Sequence, residues 1–276
     1  GGRQVSRTSQ ETSWWRSTWP LDRRDGLHLL VALVAVVAAF SAVGWLYTDA
    51  LAPNAITELD DRVAQDFVEM RTEARDDLAH YGAMMSDTQV KIGLTAIVAV
   101  AMVVAWRRWH EALFVVSCLV FEATAFITIT YIVARERPDV ERLLDSPVSS
   151  SFPSGHVAAA TVYGAFVVVV FWHTRKFWIR ALATSLSVAV VVIVALSRMY
   201  QGMHFLTDVL AGVVLGLVSL AVCLWVFGPP PVDDETGSPD DQATRSRYSG
   251  LRSTNSATNQ QVGTIERPLD RTSSSA

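Results

Sequence analysis

The chain has 276 residues, of which 50% are hydrophobic and 18% are charged, and its formal net charge is −4. Soluble domains carry about 25% charged residues, whereas here the polar residues gather at the two ends, around long uncharged runs. This composition excludes a disulfide-rich scaffold, a coiled coil and a wholly disordered chain, and the negative charge argues against a nucleic-acid-binding protein. Cys118 and Cys223 lie inside apolar runs and are expected to be packed, reduced side chains.

Long apolar segments dominate the middle of the chain. A helix needs about 20 apolar residues to cross the roughly 30 Å hydrocarbon layer of a bilayer, and six segments approach that length. A soluble domain of this size could not bury so many apolar helices. We therefore predict an all-α fold, a bundle of six transmembrane helices. The segments run over 27–47, 92–106, 112–134, 157–172, 179–196 and 209–227.

Polar segments flank this bundle. We predict three parts: a polar N-terminal segment over 1–26, the six-span domain over 27–227 and a disordered tail over 228–276. The tail begins with Gly-Pro-Pro-Pro, which ends the last helix. Its composition, rich in Ser, Thr, Asp, Gln and Arg, cannot bury enough apolar surface to offset the entropy of folding.

Basic residues predict the orientation of the spans, because Lys and Arg concentrate in short cytoplasmic loops. Arginine pairs stand before the first span and after the second, and three basic residues stand near the junction of the fourth and fifth spans. These places belong to one side, so we predict a multi-pass cell-membrane protein with both termini in the cytoplasm. The residues are Arg23, Arg24, Arg107, Arg108, Arg175, Lys176 and Arg180.

The loop between the first and second spans has helical periodicity. Apolar residues recur at three- and four-residue steps from Ile56 to Tyr81, which predicts an amphipathic outer helix on the bilayer surface or over the bundle. Its acidic residues are expected to form a solvated face. They include Asp60, Asp61, Asp77 and Asp87.

Three polar clusters are predicted at the outer ends of spans three to six. Ionisable groups near membrane depth are costly and usually functional. The predicted topology places all three clusters on the same side, so we expect them to form one site. The clusters are Arg135-Glu136-Arg137-Pro138, then Pro153-Ser154-Gly155-His156, and then Ser197-Arg198 with His204 and Asp208.

These residue types suit a reaction on a phosphate group. Arginine presents a planar set of N–H donors that match phosphate oxygens, and the free N–H groups at a helix start suit an anion. Two histidines allow one to attack while the other transfers a proton. His204 and Asp208 are four residues apart, so we expect the carboxylate to hold one ring nitrogen and leave the other free. No carboxylate cluster is left over for a divalent ion, so we predict no metal and no cofactor.

In their order and spacing, the three clusters resemble the motifs of the type 2 phosphatidic acid phosphatase (PAP2) superfamily, over about residues 27–227. The membrane members of that family are six-helix lipid phosphatases. The resemblance implies that His204 is the nucleophile that forms a phosphohistidine, that Asp208 orients it and that His156 protonates the leaving group. It also implies a phosphate cradle of Arg137, Arg198, Ser154 and the Gly155 N–H.

One position departs from the family pattern. The first family motif is a lysine, six residues and then Arg-Pro, and the lysine position here is Thr130. Threonine can donate a hydrogen bond to phosphate but carries no charge. Arg135 and Lys91 are candidates to supply the missing charge. Loss of one such contact slows phosphoryl transfer by roughly 10²–10³-fold, judged from single oxyanion donors.

We therefore expect an integral membrane lipid phosphatase with its site at the outer face, where the lipid tail stays among membrane lipids while its phosphate enters. A polyprenyl diphosphate, phosphatidic acid and phosphatidylglycerol phosphate all fit this expectation. Two alternatives remain open. One is a phosphotransferase that uses the same phosphohistidine, and the other is a non-catalytic lipid-binding or scaffold protein whose site is weakened at Thr130.

Overall fold

The computed structural model describes residues 23–50, 54–106, 109–144 and 150–229. Within these ranges the chain forms nine α-helices and one five-residue π-helix and contains no strand, as the all-α prediction requires. The predicted N-terminal segment and tail lie almost entirely outside the described residues. The helices are α1 (Arg23–Trp45), α2 (Ala55–Glu69), α3 (Glu73–Met84), α4 (Thr88–Trp106), α5 (Trp109–Val133), α6 (Gly155–Val162), α7 (Gly164–His173), α8 (Phe177–Tyr200) and α9 (Leu206–Phe227), and the π-helix is Leu46–Ala50.

Five helical segments are long and apolar enough to cross a membrane. The predicted span over 92–106 differs from the others, because α4 qualifies as a candidate span only together with α3. These two helices are bent by 44° at a short break and make a sixth span if the pair is taken as one. The five continuous candidates are Arg23–Thr48, Trp109–Val133, Gly155–His173, Phe177–Tyr200 and Leu206–Phe227.

The short helix α6 lies at the centre of the bundle. All of its residues except His156 are buried, and it packs against α5, α8 and α9. Small residues permit this packing. A Cβ on Gly212 of α9 would lie 2.6 Å from the Ser154 carbonyl oxygen, and one on Gly155 would lie 2.5 Å from the Phe126 ring of α5. These contacts fix the start of α6 beside the start of α9 and the last turns of α5.

The apolar core extends from this end of the bundle to the other. Cys118 of α5 and Cys223 of α9 belong to it, and both are buried and unlinked, as predicted. On the surface, large apolar side chains such as Tyr131, Trp178 and Leu182 are exposed along the long helices. Apolar side chains on the outside of a helix bundle are suited to contact with lipid tails.

The loop between α1 and α4 folds over the end of the bundle at which α6 and α9 begin. It forms two helices rather than the single predicted one. A capping box at Asn54 begins α2, and residues 70–72 separate α2 from α3. α3 packs along α8, and α2 packs against α8 and α9. The expectation of a uniformly solvated acidic face is wrong for Asp60, which is 1% exposed, whereas its neighbour Asp61 is exposed.

Candidate active site

The three polar clusters meet where α6 and α9 begin. The segment after α5 and the segment before α6 lie side by side: the Ser151 N–H donates to the Arg135 carbonyl oxygen (2.8 Å), and the Ser151 hydroxyl donates to the Glu136 carbonyl oxygen (2.8 Å). The Ser154 N–H donates to the Asp208 carbonyl oxygen (3.0 Å). These hydrogen bonds fix the three clusters relative to one another.

His204 lies in the turn between α8 and α9 and is buried. Its Nδ1 is 2.8 Å from the carbonyl oxygen of Ser151. A carbonyl oxygen can only accept a hydrogen bond, so Nδ1 carries the proton and Nε2 carries the lone pair of the neutral ring. Burial holds the pKa of His204 well below its usual 6.5, and the charges of Arg198 and Arg137 lower it further. The ring is therefore neutral at neutral pH, with Nε2 able to attack.

The contact predicted between Asp208 and the His204 ring differs from the observed geometry. Asp208 Oδ2 is 4.0 Å from His204 Nδ1, which is beyond hydrogen-bond distance. That oxygen accepts a hydrogen bond from the Phe205 N–H (2.9 Å), and Oδ1 accepts one from Arg135 Nη1 (2.5 Å). The Ser151 carbonyl group, and not Asp208, fixes the tautomer of His204, while Asp208 anchors the start of α9.

Arg137 and Arg198 lie close to His204. Each acts electrostatically on the ring of His204, and the two guanidinium groups act on each other. Arg137 Nη1 donates to the Met203 carbonyl oxygen (2.5 Å), and Nη2 donates to the Ser150 carbonyl oxygen (3.1 Å). Two positive charges on the same side of His204 favour the binding of an anion there.

His156 is the second residue of α6 and points out of the core. Its Nε2 is 3.0 Å from Asp87 Oδ1, and the ring interacts electrostatically with Arg198 and His204. The Ser154 hydroxyl is buried and has no hydrogen-bond partner among the residues that the structure describes. The structure thus gathers the two predicted histidines, both predicted cradle arginines and the motif serine at one end of the bundle.

Arg135 is engaged by two carboxylates. Its Nη2 is 3.0 Å from Asp60 Oδ2, and its Nη1 is 2.5 Å from Asp208 Oδ1. The rings of Tyr47 and Phe205 lie 5.0 and 4.3 Å from the guanidinium carbon. We call this buried chain the Asp60–Arg135–Asp208 network. Two carboxylates face this one guanidinium group, so the charge of Arg135 is already paired, which leaves it little capacity to hold a phosphate.

Thr130 and Lys91 are both buried near this end of the bundle. Within the described ranges, the Thr130 hydroxyl has no hydrogen-bond partner. The Lys91 N–H donates to the Asp87 carbonyl oxygen (2.9 Å), and the Asp87 carboxylate contacts His156. Of the two candidates for the missing lysine charge, Lys91 is thus the one on the segment that contacts His156.

The sequence reasoning missed two carboxylates, Asp60 and Asp87. Asp60 accepts hydrogen bonds from the Thr207 N–H (3.1 Å), the Thr207 hydroxyl and the Tyr47 hydroxyl (3.3 Å), besides its ion pair. A signal was present for Asp60, because it lies four residues after Ile56, on the apolar face of α2. A charged residue at an apolar-face position indicates a buried partner.

A cavity of about 560 Å³ opens beside Arg137 and is lined in part by Tyr47, Phe205 and Asp139. It lies on the side of α1 and α5, and its described lining includes Arg135 and Arg137 but neither His156 nor His204. In the described ranges of the chain, no group of three or more His, Cys, Asp or Glu side chains could hold a metal ion.

Comparisons with known proteins match this fold. Residues 25–229 match the PAP2 superfamily. The chain is similar to phosphatidylglycerophosphatase B of Bacillus subtilis (strain 168), with 29% identity over 181 residues, which is 61% of this chain and 83% of that protein. It is also similar to the bacitracin transport permease protein BcrC of Bacillus licheniformis, with 31% identity over 88 residues, 32% of this chain and 39% of that protein.

A solved structure has the same architecture. The crystal structure of a transmembrane PAP2 type phosphatidylglycerolphosphate phosphatase from Bacillus subtilis aligns with a TM-score of 0.60 and 24% identity, over 70% of this chain and 92% of that one. The family match covers most of the chain, and the structural match extends to the helical bundle. The protein described here is therefore a multi-pass membrane protein that belongs to the PAP2 superfamily.

Proposed function

We propose that this protein is a lipid phosphatase that hydrolyses a lipid phosphate monoester or diphosphate through a phosphohistidine on His204. The observation that carries the proposal is the 2.8 Å contact between His204 Nδ1 and the Ser151 carbonyl oxygen, because it leaves Nε2 with a lone pair beside two arginines. A buried neutral imidazole of fixed tautomer, next to an anion site, is suited to attack on phosphorus.

The reaction proceeds in two steps. His204 Nε2 forms a bond to phosphorus while the bond from phosphorus to the leaving oxygen breaks, and His156 gives that oxygen a proton. Water then attacks phosphorus, the P–N bond breaks, and His156 takes the proton from the water. Both histidines return to their starting states, and inorganic phosphate leaves. The phosphate oxygens are held by Arg137, Arg198, the Ser154 hydroxyl and the Gly155 N–H.

Lys91 supplies the charge that Thr130 lacks. The side chain is buried, and its ammonium group acts electrostatically on His156, so it adds positive charge where the phosphate binds. Arg135 is not needed for this role, because Asp60 and Asp208 already neutralise it. Lysine serves phosphate as a point charge, so a different helix can provide it without the geometry of an arginine fork.

The substrate class follows from the position of the site at one end of a membrane bundle. The basic segment with Arg175 and Lys176 lies before α8, and Arg198 lies at the far end of the same helix. By the rule that basic loops are cytoplasmic, the site faces outward and both termini are cytoplasmic. The similarity to phosphatidylglycerophosphatase B favours phosphatidylglycerol phosphate as the first substrate to test.

The test measures phosphate release by the purified protein in detergent, with EDTA, from phosphatidylglycerol phosphate, phosphatidic acid and a polyprenyl diphosphate. We expect release from at least one lipid, inhibition by vanadate, and loss of at least about 10³-fold in His204→Ala. His80→Ala, on the exposed surface of α3, is the matched control and should keep full activity.

Acid-sensitive radiolabel from ³²P-substrate should appear on the wild-type chain and not on His204→Ala. Retained turnover in His204→Ala would remove His204 as the nucleophile, and a strict requirement for added Mg²⁺ would overturn the two-step scheme. Transfer of label to an added alcohol instead of water would identify a phosphotransferase.

A further inference from the structure

Asp87 lies against the histidine to which the proposed function gives the proton-transfer role. Its Oδ1 is 3.0 Å from His156 Nε2, and the two side chains are 47% and 29% exposed. The contact joins the segment that covers the bundle end to the first turn of the central helix. An ionised carboxylate only accepts hydrogen bonds, so Nε2 carries a proton and donates it to Asp87.

The backbone around Asp87 is held on both sides. Its N–H donates to the Met84 carbonyl oxygen (3.1 Å) in the turn after α3, and its carbonyl oxygen accepts from the Lys91 N–H (2.9 Å) in the first turn of α4. Two residues earlier, the Met85 carbonyl oxygen accepts a hydrogen bond from the Tyr163 hydroxyl (2.9 Å). Tyr163 follows α6, so the helix that carries His156 also anchors the turn that carries Asp87.

The remaining charged neighbours of His156 are positive or potentially positive. Arg198 of α8, Lys91 of α4 and His204 each act on its ring. From α5 the uncharged Phe126 ring lies against the start of α6, and on α9 the Asp208 carboxylate is bound by Arg135. Among the described residues, Asp87 is the carboxylate that contacts His156, and its charge opposes those of Arg198 and Lys91 at the ring.

We infer that Asp87 is a positioning residue for proton transfer by His156: it holds Nε2 and directs Nδ1 to the leaving oxygen. This inference rests on the proposed function. His156 enters the first step protonated at both ring nitrogens: the Nδ1–H bond breaks as the leaving oxygen gains the proton, and Nε2–H stays bound to Asp87. In the second step Nδ1 takes the proton from water. A carboxylate that holds one imidazole nitrogen while the other exchanges a proton is a recurring arrangement in catalytic dyads.

The experiment compares Asp87→Asn with wild type on two kinds of phosphate ester. Dihexanoyl phosphatidic acid has an alkoxide leaving group that needs the proton, and p-nitrophenyl phosphate has a leaving group that does not. We expect kcat/KM to fall about 10–100-fold for the first, within the range that general acids contribute, and less than about threefold for the second. Asp77→Asn, at an exposed position of α3, is the matched control and should match wild type on both.

The pH profile provides a second readout. The acid must be protonated, so activity falls as pH rises. In Asp87→Asn the alkaline limb of kcat/KM for phosphatidic acid should move to lower pH by about one unit, because the amide no longer stabilises the protonated ring. In a His156→Ala background, Asp87→Asn should cause no further loss.

The possible results separate the inference from the proposed function. Equal losses on both esters, an unmoved alkaline limb, or a further loss in the His156→Ala background would overturn the role of Asp87 while wild-type activity still supports the phosphatase. Inactivity of wild type on every phosphate ester would overturn the proposed function itself.

Discussion

Asp60→Asn tests whether the Asp60–Arg135–Asp208 network holds the α2 helix on the bundle. Asp60 is almost fully buried, and its two oxygens accept from Arg135, Tyr47 and both donors of Thr207. An asparagine amide can place only one oxygen there, so its NH₂ group must face at least one of these donors. Arg135 also loses one of its two carboxylates.

Breaking a buried ion pair costs about 3–5 kcal/mol, and the lower end applies because Asp208 still pairs with Arg135. Domains of 150–250 residues lose about 2–4 °C of Tm per kcal/mol, so we expect Tm to fall by about 6–12 °C. Cys118 and Cys223 are buried, which allows a thiol-reactive fluorophore to follow thermal unfolding in detergent. Asp61→Asn, at the neighbouring exposed position, should change Tm by less than about 2 °C. A Tm for Asp60→Asn within 2 °C of wild type would refute the role given to the network.

Three further predictions address packing, charge and pH. Gly212→Ala should destabilise the bundle by about 1–3 kcal/mol, because its Cβ would lie 2.6 Å from the Ser154 carbonyl oxygen at the start of α6. Gly93→Ala, whose Cβ would have no atom of the described residues within 4 Å, should be neutral or stabilising in the same unfolding assay. Vanadate should protect Lys91 from an amine-specific reagent, measured by peptide mass spectrometry, and should leave the exposed Lys176 unprotected. Labelling of Lys91 that is the same with and without vanadate would contradict a phosphate-binding role for this residue. His204 is neutral in the folded protein because its pKa is lowered, so the unfolded chain binds an extra proton below pH 6.5 and stability falls as pH falls through that value. The Tm of His204→Gln should therefore fall less than that of wild type between pH 7 and pH 5. The same dependence of Tm on pH in both proteins would contradict a buried neutral imidazole.

Much of the bundle could be predicted, because a segment that crosses the lipid must be a long apolar helix in which the backbone N–H and C=O groups are hydrogen-bonded to each other. The span predicted over 92–106 differs from the others, because α4 carries the buried polar residues Lys91 and Thr95 near its start. A count of apolar residues cannot show that α3 and α4 act as a bent pair. That outcome depends on the contacts of α3 with α8, which the local sequence does not contain.

The predicted contact between His204 and Asp208 shows where a spacing rule stops applying. Residues four apart lie on one face only if both belong to a helix, and α9 begins at Leu206, after His204. The ring therefore turns to the Ser151 carbonyl oxygen instead. The role of Arg135 was likewise out of reach, because its partner Asp60 lies 75 residues earlier in the chain.

The α2–α3 segment has a consequence for protein engineering. Surface loops usually tolerate exchange between relatives, but here the stretch from residue 54 to residue 87 carries one carboxylate that locks α9 in place and ends at another that touches His156. A chimera that borrows this stretch from a relative would have to bring matching residues at 135 and 207 as well. The stretch thus functions together with the bundle, and its replacement alone should yield chains that insert into the membrane without forming an active site.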